Sequence, residues 1–166
     1  MSDSVEVLTR VVFIGAGGAA LMDAWTLLAR RAFNIHGLDY AMLGRWIGHL
    51  ARGRFFHERI ASAEHVRGER PLGWVAHYSI GIAFAFLLPA IWGLGWARSP
   101  TFLPPLLIGW GTIIAPWLVL QPGMGAGIAA SRTPDPRAAR LRNFATHTAY
   151  GLGLYVSAMA LSILWA

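Results

Sequence analysis

Four long apolar stretches, separated by charged segments of unequal length, dominate the hydrophobic pattern of this chain. Asp23 is the one charged residue in the first stretch, residues 11–29. The other three contain no Asp, Glu, Lys or Arg: residues 71–97, 99–131 and 143–166. About 20 apolar helical residues cross a bilayer core about 30 Å thick. The pattern therefore predicts four membrane spans, at about residues 5–29, 72–96, 102–120 and 144–165.

Composition supports an all-α fold, a polytopic four-transmembrane-helix bundle. The 166 residues are 55% hydrophobic and 13% charged, with a mean hydropathy of +0.48, whereas soluble domains carry about 25% charged residues. The spans nearly fill the length, so one membrane domain is expected over residues 1–166. The absence of cysteine excludes disulfides, thiolate catalysis and Cys-ligated metal centres. No nucleic-acid-binding motif is present, so no nucleic acid is expected as a partner.

The arginines predict the topology. All 14 basic residues are Arg, and 12 of them fall in two connections, at residues 30–71 and 131–142. Only Arg10 and Arg98 lie on the other side. Because Arg-rich connections stay in the cytoplasm, both ends of the chain are expected outside. The expected location is a bacterial cytoplasmic (inner) membrane, which the chain would cross several times.

The long connection, residues 30–71, contains a predicted amphipathic helix at about residues 38–50. Arg45, His49 and Arg52 lie away from its apolar face. Six residues form that face at helical spacing: Leu38, Met42, Leu43, Trp46, Ile47 and Leu50. We expect an interfacial helix on the cytoplasmic side. A short soluble helix packed on the spans is the alternative.

Prolines and glycines shape two spans. The third span is expected to kink near Pro116 and end near Pro122, because proline removes a backbone donor. Residues 11–20 resemble a dinucleotide-binding fingerprint. No further strand–helix units follow, which favours close helix packing at small residues such as Gly15 and Gly18.

Polar residues at a similar depth are the candidate site. Each span offers one, on the cytoplasmic side: Asp23, His77, Gln121 and His147. Buried charged groups in membranes find polar partners, so Asp23 is expected to pair with His77 or His147. Three interpretations stay open: a cluster that fixes helix register, a pocket for a substrate, lipid headgroup or proton, and a metal or haem site. Asp23, His77 and His147 would be the metal ligands.

Two further groups lie beside this cluster. His57 and Glu69 flank it near the inner interface, where residues 53–60 would cover it as a lid or simply anchor at the interface. A glycine-rich loop follows the third span, and its members are candidates for binding an anion or lipid headgroup: Gly123, Gly125, Gly127 and Arg132. A re-entrant turn that needs glycine for close packing is the alternative.

Several short motifs together resemble one family. They are Met22-Asp23, Gly53-x-Phe55-x-His57-x-x-Ile60, Glu69-x-x-x-Gly73-Trp74-x-x-His77-Tyr78-x-x-Gly81, Gln121-Pro-x-x-Gly125-x-Gly127 and His147-x-x-x-Gly151-x-Gly153-Leu-Tyr155. The set is similar to the DUF2938 family of bacterial membrane proteins. This resemblance implies a small integral membrane protein and brings no activity with it.

Two functions are compatible with these features. The first is a non-enzymatic membrane protein, in transport or as an accessory subunit, that binds a small molecule, lipid, second copy or partner subunit through the polar cluster. The second is a metal- or haem-dependent enzyme or electron carrier that uses His77 and His147. The sequence identifies no catalytic residue and no specific cofactor. We favour the first.

The topology is testable with reporter fusions. A fusion at the C-terminal end should report an outside location, and one at Ser62 a cytoplasmic location, because 12 Arg lie on the cytoplasmic side and 2 outside. A cytoplasmic signal at the C-terminal end would contradict the assignment.

Overall fold

The computed structural model describes residues 3–164, and this part of the chain contains helices and loops but no strand. The all-α prediction is therefore confirmed. Trp165, at the end of the predicted fourth span, lies outside the described residues. The α-helices are α1 (Asp3–Phe33), α2 (Tyr40–Leu50), α3 (Glu69–Ala85), α4 (Leu87–Arg98), α5 (Leu103–Gly111), α6 (Gln121–Met124) and α7 (Pro136–Leu164).

Three helical segments are long and apolar enough to cross a membrane: Val5–Phe33, Leu103–Met124 and Pro136–Leu164. They correspond to the first, third and fourth predicted spans. The second predicted span, residues 72–96, is instead the pair α3 and α4, bent by 61°. The described part of the chain thus contains three candidate spans, or four if the bent pair counts as one.

Prolines account for both interrupted spans. A proline clashes with the carbonyl four residues earlier and offers it no N–H. Pro89 stands four residues after Ala85, where α3 ends. Pro116 stands four residues after Thr112, which directly follows the end of α5. A π-helical turn, Pro116–Leu120, then continues into α6. The helix is interrupted at Thr112 and Ile113, close to the kink expected near Pro116, and it ends at Met124, two residues beyond the end expected near Pro122.

The described chain forms two compact units. Unit 1 consists of Met1–Ile35, Tyr78–Thr112 and Ala145–Ala166. Unit 2 consists of His36–His77 and Ile113–Phe144. Both α3 and α7 contribute residues to each unit.

Unit 1 is packed through glycines of α1. A Cβ atom at Gly15 would meet the backbone of Ile82, and one at Gly18 would meet the side chains of Tyr150 and Leu154. The residues of the predicted nucleotide fingerprint lie inside α1, a continuous helix, so no strand and glycine turn form there. The packing interpretation is confirmed.

The two arginines predicted outside share one acid of unit 1. Arg10, which is buried, lies 2.8 Å from Glu6 and donates to the carbonyl of Ala97. Arg98 binds the other carboxylate oxygen of Glu6 at 2.7 Å. These contacts join the first turns of α1 to the end of α4.

Unit 2 brings α2 against the start of α3. Asp39 caps α2 by accepting a hydrogen bond from the Ala41 amide. A Cβ atom at Gly44 would collide with the carbonyl of Glu69, and one at Gly73 would collide with the carbonyl of Tyr40. Only glycine at both positions permits this approach.

The α2 helix is confirmed, but the prediction for its polar face is wrong. Arg45 and His49 were expected away from the packed face, yet Arg45 is 5% exposed and His49 0%. The connection that follows α2 supplies the reason, because its backbone carbonyls accept hydrogen bonds from both side chains. Buried polar groups are tolerated when they are paired in this way.

The Gly44 contact is testable with a matched pair of substitutions. Gly44→Ala should lower the free energy of unfolding by about 1–3 kcal/mol, because the added methyl has no room. Gly95→Ala in α4 should raise it by up to about 1 kcal/mol, because open space surrounds that position. Unfolding of both variants in detergent micelles measures the difference. Equal effects would contradict the close approach.

Candidate functional site

Arg45 is the centre of a fully paired network in unit 2. Its Nε and Nη2 atoms donate to the two carboxylate oxygens of Glu69, at 2.9 and 2.8 Å. Its Nη1 atom donates to the carbonyls of Ile60 and Ala61, at 3.2 and 3.1 Å. The Glu69 carboxylate raises the pKa of the Arg45 guanidinium through these bonds. Arg45 therefore holds the connection onto α2, and Glu69, a predicted site residue, joins the start of α3 to Arg45.

Two histidines of unit 2 lie edge to face beside this network. The rings of His49 and His57 are 4.9 Å apart, with an 88° angle between planes. His49 Nε2 donates to the Glu64 carbonyl at 2.9 Å, and His57 Nδ1 donates to the Gly123 carbonyl at 3.3 Å. Each ring thereby has one further nitrogen, His49 Nδ1 and His57 Nε2, that is buried without a hydrogen-bond partner.

A second pair of buried polar atoms without a partner lies at the π-helical turn. They are the indole nitrogen Nε1 of Trp117 and the side-chain oxygen Oε1 of Gln121. These residues are four positions apart, so their side chains leave the helix on one side. Gln121 Nε2 donates to Asn143 Oδ1 at 2.9 Å, which leaves Oε1 of the same amide without a partner. The pair offers one donor and one acceptor.

The other predicted site residues have partners in their own units. In unit 1, Tyr78 donates to Asp23 at 3.1 Å, and His147 Nδ1 lies 3.0 Å from the Thr112 hydroxyl and 3.2 Å from the Gly109 carbonyl. In unit 2, the His77 ring stacks on Tyr40 at 4.3 Å and lies near Trp74. The shared Asp23–His77–His147 cluster stays a prediction of the sequence.

Residues 3–164 contain no ligand set for a metal centre. In that range, no group of three or more His, Asp or Glu side chains is placed to hold a metal ion. The structure thus offers no support for the trio of Asp23, His77 and His147 as metal ligands.

The glycine-rich loop uses its backbone donors internally. The amides of Gly125 and Ala126 donate to the carbonyls of Pro122 and Gln121, and the Arg132 amide donates to the Ala126 carbonyl. These three amides are not available to an anion. Gly125 and Gly127 have positive φ angles of 94° and 75°, and a Cβ atom at Gly125 would collide with the backbone of His57 and Glu58. Close packing explains these glycines. Gly123 serves the same purpose against the Trp46 indole.

Sequence reasoning missed four residues of unit 2. Arg45, His49 and Asn143 form its polar contacts, and Trp117 has a buried indole nitrogen without a partner. Two signals were available. Arg45 and His49 lie four residues apart on one helix, as do Trp117 and Gln121. The partners on other segments could not be inferred from spacing.

These features define an all-helical chain with three or four candidate spans and a polar unit in which Arg45 is fully paired and four buried side-chain atoms are not. The chain belongs to the DUF2938 family, described as a protein of unknown function, whose model matches residues 12–161. No significant match was found among curated proteins or solved structures.

The Arg45 network predicts that lysine cannot replace this arginine. Arg45→Lys should lower the free energy of unfolding by about 3 kcal/mol, because an ammonium cannot bind both Glu69 oxygens and the carbonyls at once. Arg137→Lys, at an exposed position of α7, should change it by less than about 0.5 kcal/mol. Denaturant titration in micelles compares the two. Similar stabilities would show that only the charge matters.

Proposed function

We propose that this chain is an integral membrane protein of the bacterial cytoplasmic membrane that binds a small polar molecule at Trp117 and Gln121. The apolar helices support the membrane location. The proposal assigns a binding role, as in transport or an accessory subunit, and no reaction.

One observation carries the binding site. In residues 3–164, four buried side-chain nitrogen or oxygen atoms have no hydrogen-bond partner, and all four belong to unit 2: His49 Nδ1, His57 Nε2, Trp117 Nε1 and Gln121 Oε1. A buried polar atom without a partner costs about 1–3 kcal/mol. Unit 2 otherwise pairs its polar groups thoroughly, as Arg45 shows.

The Trp117–Gln121 pair specifies the ligand chemistry better than the histidines do. Trp117 Nε1 can only donate, and Gln121 Oε1 can only accept. The proposed ligand carries a group that does both, such as a hydroxyl or a protonated carboxyl group. Pro116–Leu120 is π-helical, and such turns are frequent at functional sites. A cluster that merely fixes helix register would have its atoms paired with each other.

Trp117→Phe tests the site, because it deletes the indole donor while keeping an aromatic ring. Protein purified in mild detergent is denatured, and the released compounds are quantified by mass spectrometry. A compound bound at this site should fall about tenfold relative to protein, as expected for one lost buried hydrogen bond.

Trp110→Phe is the matched control. The Trp110 indole donates to the Thr148 hydroxyl at 3.0 Å, so its loss should not change the amount of the released compound. A released-compound profile that is the same in wild type and Trp117→Phe would mean that water alone occupies the site. That result would overturn the proposal.

A further inference from the structure

The segment between α2 and the buried Ile60 exposes two adjacent phenylalanines. Phe55 is 57% exposed and Phe56 77% exposed, whereas Ile60 is 4% exposed. We call residues 52–59 the Arg–Phe loop, because three exposed arginines flank the two rings: Arg52, Arg54 and Arg59.

The backbone of the Arg–Phe loop is fixed on both sides of the rings. The amides of Arg52 and Arg54 both donate to the His49 carbonyl at 3.0 Å. Trp46 Nε1 donates to the Phe55 carbonyl at 3.0 Å, and the His57 amide donates to the Gly123 carbonyl at 3.0 Å. The loop is held in place while its largest apolar side chains point away from unit 2.

We propose that the Arg–Phe loop inserts into a lipid surface containing anionic phospholipid, with the phenylalanines at the acyl boundary and the arginines on headgroup phosphates. Exposed apolar side chains that stand together mark interaction sites. Phenylalanine with arginine is a pairing that interfacial segments use. Guanidinium groups bind phosphate through two hydrogen bonds and extend on apolar stems.

Charge complementarity selects a lipid over an apolar protein partner. The loop carries three arginines and one acid, Glu58, which is exposed, so its net charge is +2. Extending the count to residue 70 adds Arg67 and Arg70 but also Glu64 and Glu69, so the net charge stays at +2. An anionic membrane surface attracts the arginines of the loop, strengthening binding about fivefold per arginine. The inference rests on the proposed membrane location but not on the Trp117–Gln121 ligand.

The absence of cysteine from the chain allows a direct test by single-site spin labelling. The Phe56→Cys variant is labelled, and the full protein is placed in nanodiscs of phosphatidylcholine, with or without phosphatidylglycerol. Collisions with oxygen, which dissolves in lipid, are compared with collisions with an aqueous nickel chelate. We expect oxygen to dominate at the position 56 label, and more strongly with phosphatidylglycerol. The Ser62→Cys variant, at an exposed position outside the candidate spans, is the aqueous reference.

A label in the Ile114→Cys variant distinguishes a failure of the Arg–Phe loop proposal from a failure of the proposed membrane location. Ile114 lies in a candidate span and is 60% exposed, so a label at this position should be deep in lipid. Lipid exposure of the position 114 label with aqueous exposure of the position 56 label would overturn this inference and leave the membrane location standing. Aqueous exposure of the position 114 label would overturn the membrane location itself.

The arginines are tested in the Phe56→Cys background. Arg52→Gln with Arg54→Gln should abolish most of the shift that phosphatidylglycerol causes, whereas Arg137→Gln should not. An unchanged shift in the double variant would contradict phosphate binding by the loop. Shielding of the position 56 label that is lost on dilution in detergent would identify a second copy of the chain as the occupant, which also overturns the inference.

Discussion

The need to pair backbone carbonyls away from water is the constraint on which this structure depends. Unpaired carbonyls are costly in an apolar environment, and proline leaves one unpaired by removing a donor. The helices stop where this happens, at Ala85 before Pro89 and just before Thr112, four residues ahead of Pro116. The same need explains why long polar side chains are buried. Arg45 donates to the carbonyls of Ile60 and Ala61, in a single 3-10 turn of the connection that follows α2.

Close glycine contacts and buried donors are linked through this constraint. Gly44 and Gly73 allow α2 to lie against α3 so closely that their backbones touch. That approach places Arg45, one residue after Gly44, within reach of Glu69 in the first turn of α3. The Arg45–Glu69 ion pair and the Gly44 contact therefore both depend on how closely α2 lies against α3. Unit 1 shows a similar combination, since Tyr150 packs on Gly18 while its hydroxyl donates to the Gly81 carbonyl.

Much of the fold could be predicted from the sequence because its determinants are local. Apolar length predicted the candidate spans, and Asp39 before an apolar periodicity is consistent with the start of α2. Pro116 was recognised as a break, but Pro89 was not, although the same four-residue rule places a break at Ala85. The burial of Arg45 and His49 could not be predicted. It depends on Glu69 and on the carbonyls of Ile60 and Glu64, which lie 15 to 24 residues away.

The candidate site was predictable only in part, and the reason is physical. Depth in a membrane span identified Gln121, since a polar group there needs a partner, but depth carries no information about which neighbour supplies it. The structure assigns Asn143 to the amide nitrogen and leaves the amide oxygen without a partner, as it leaves the indole nitrogen of Trp117, four residues earlier. In unit 2 the Arg45 guanidinium, which has several N–H donors, finds hydrogen-bond acceptors for its nitrogen atoms. The unpaired atoms of Trp117 and Gln121, at the π-helical turn, are the ones that the proposed ligand would pair.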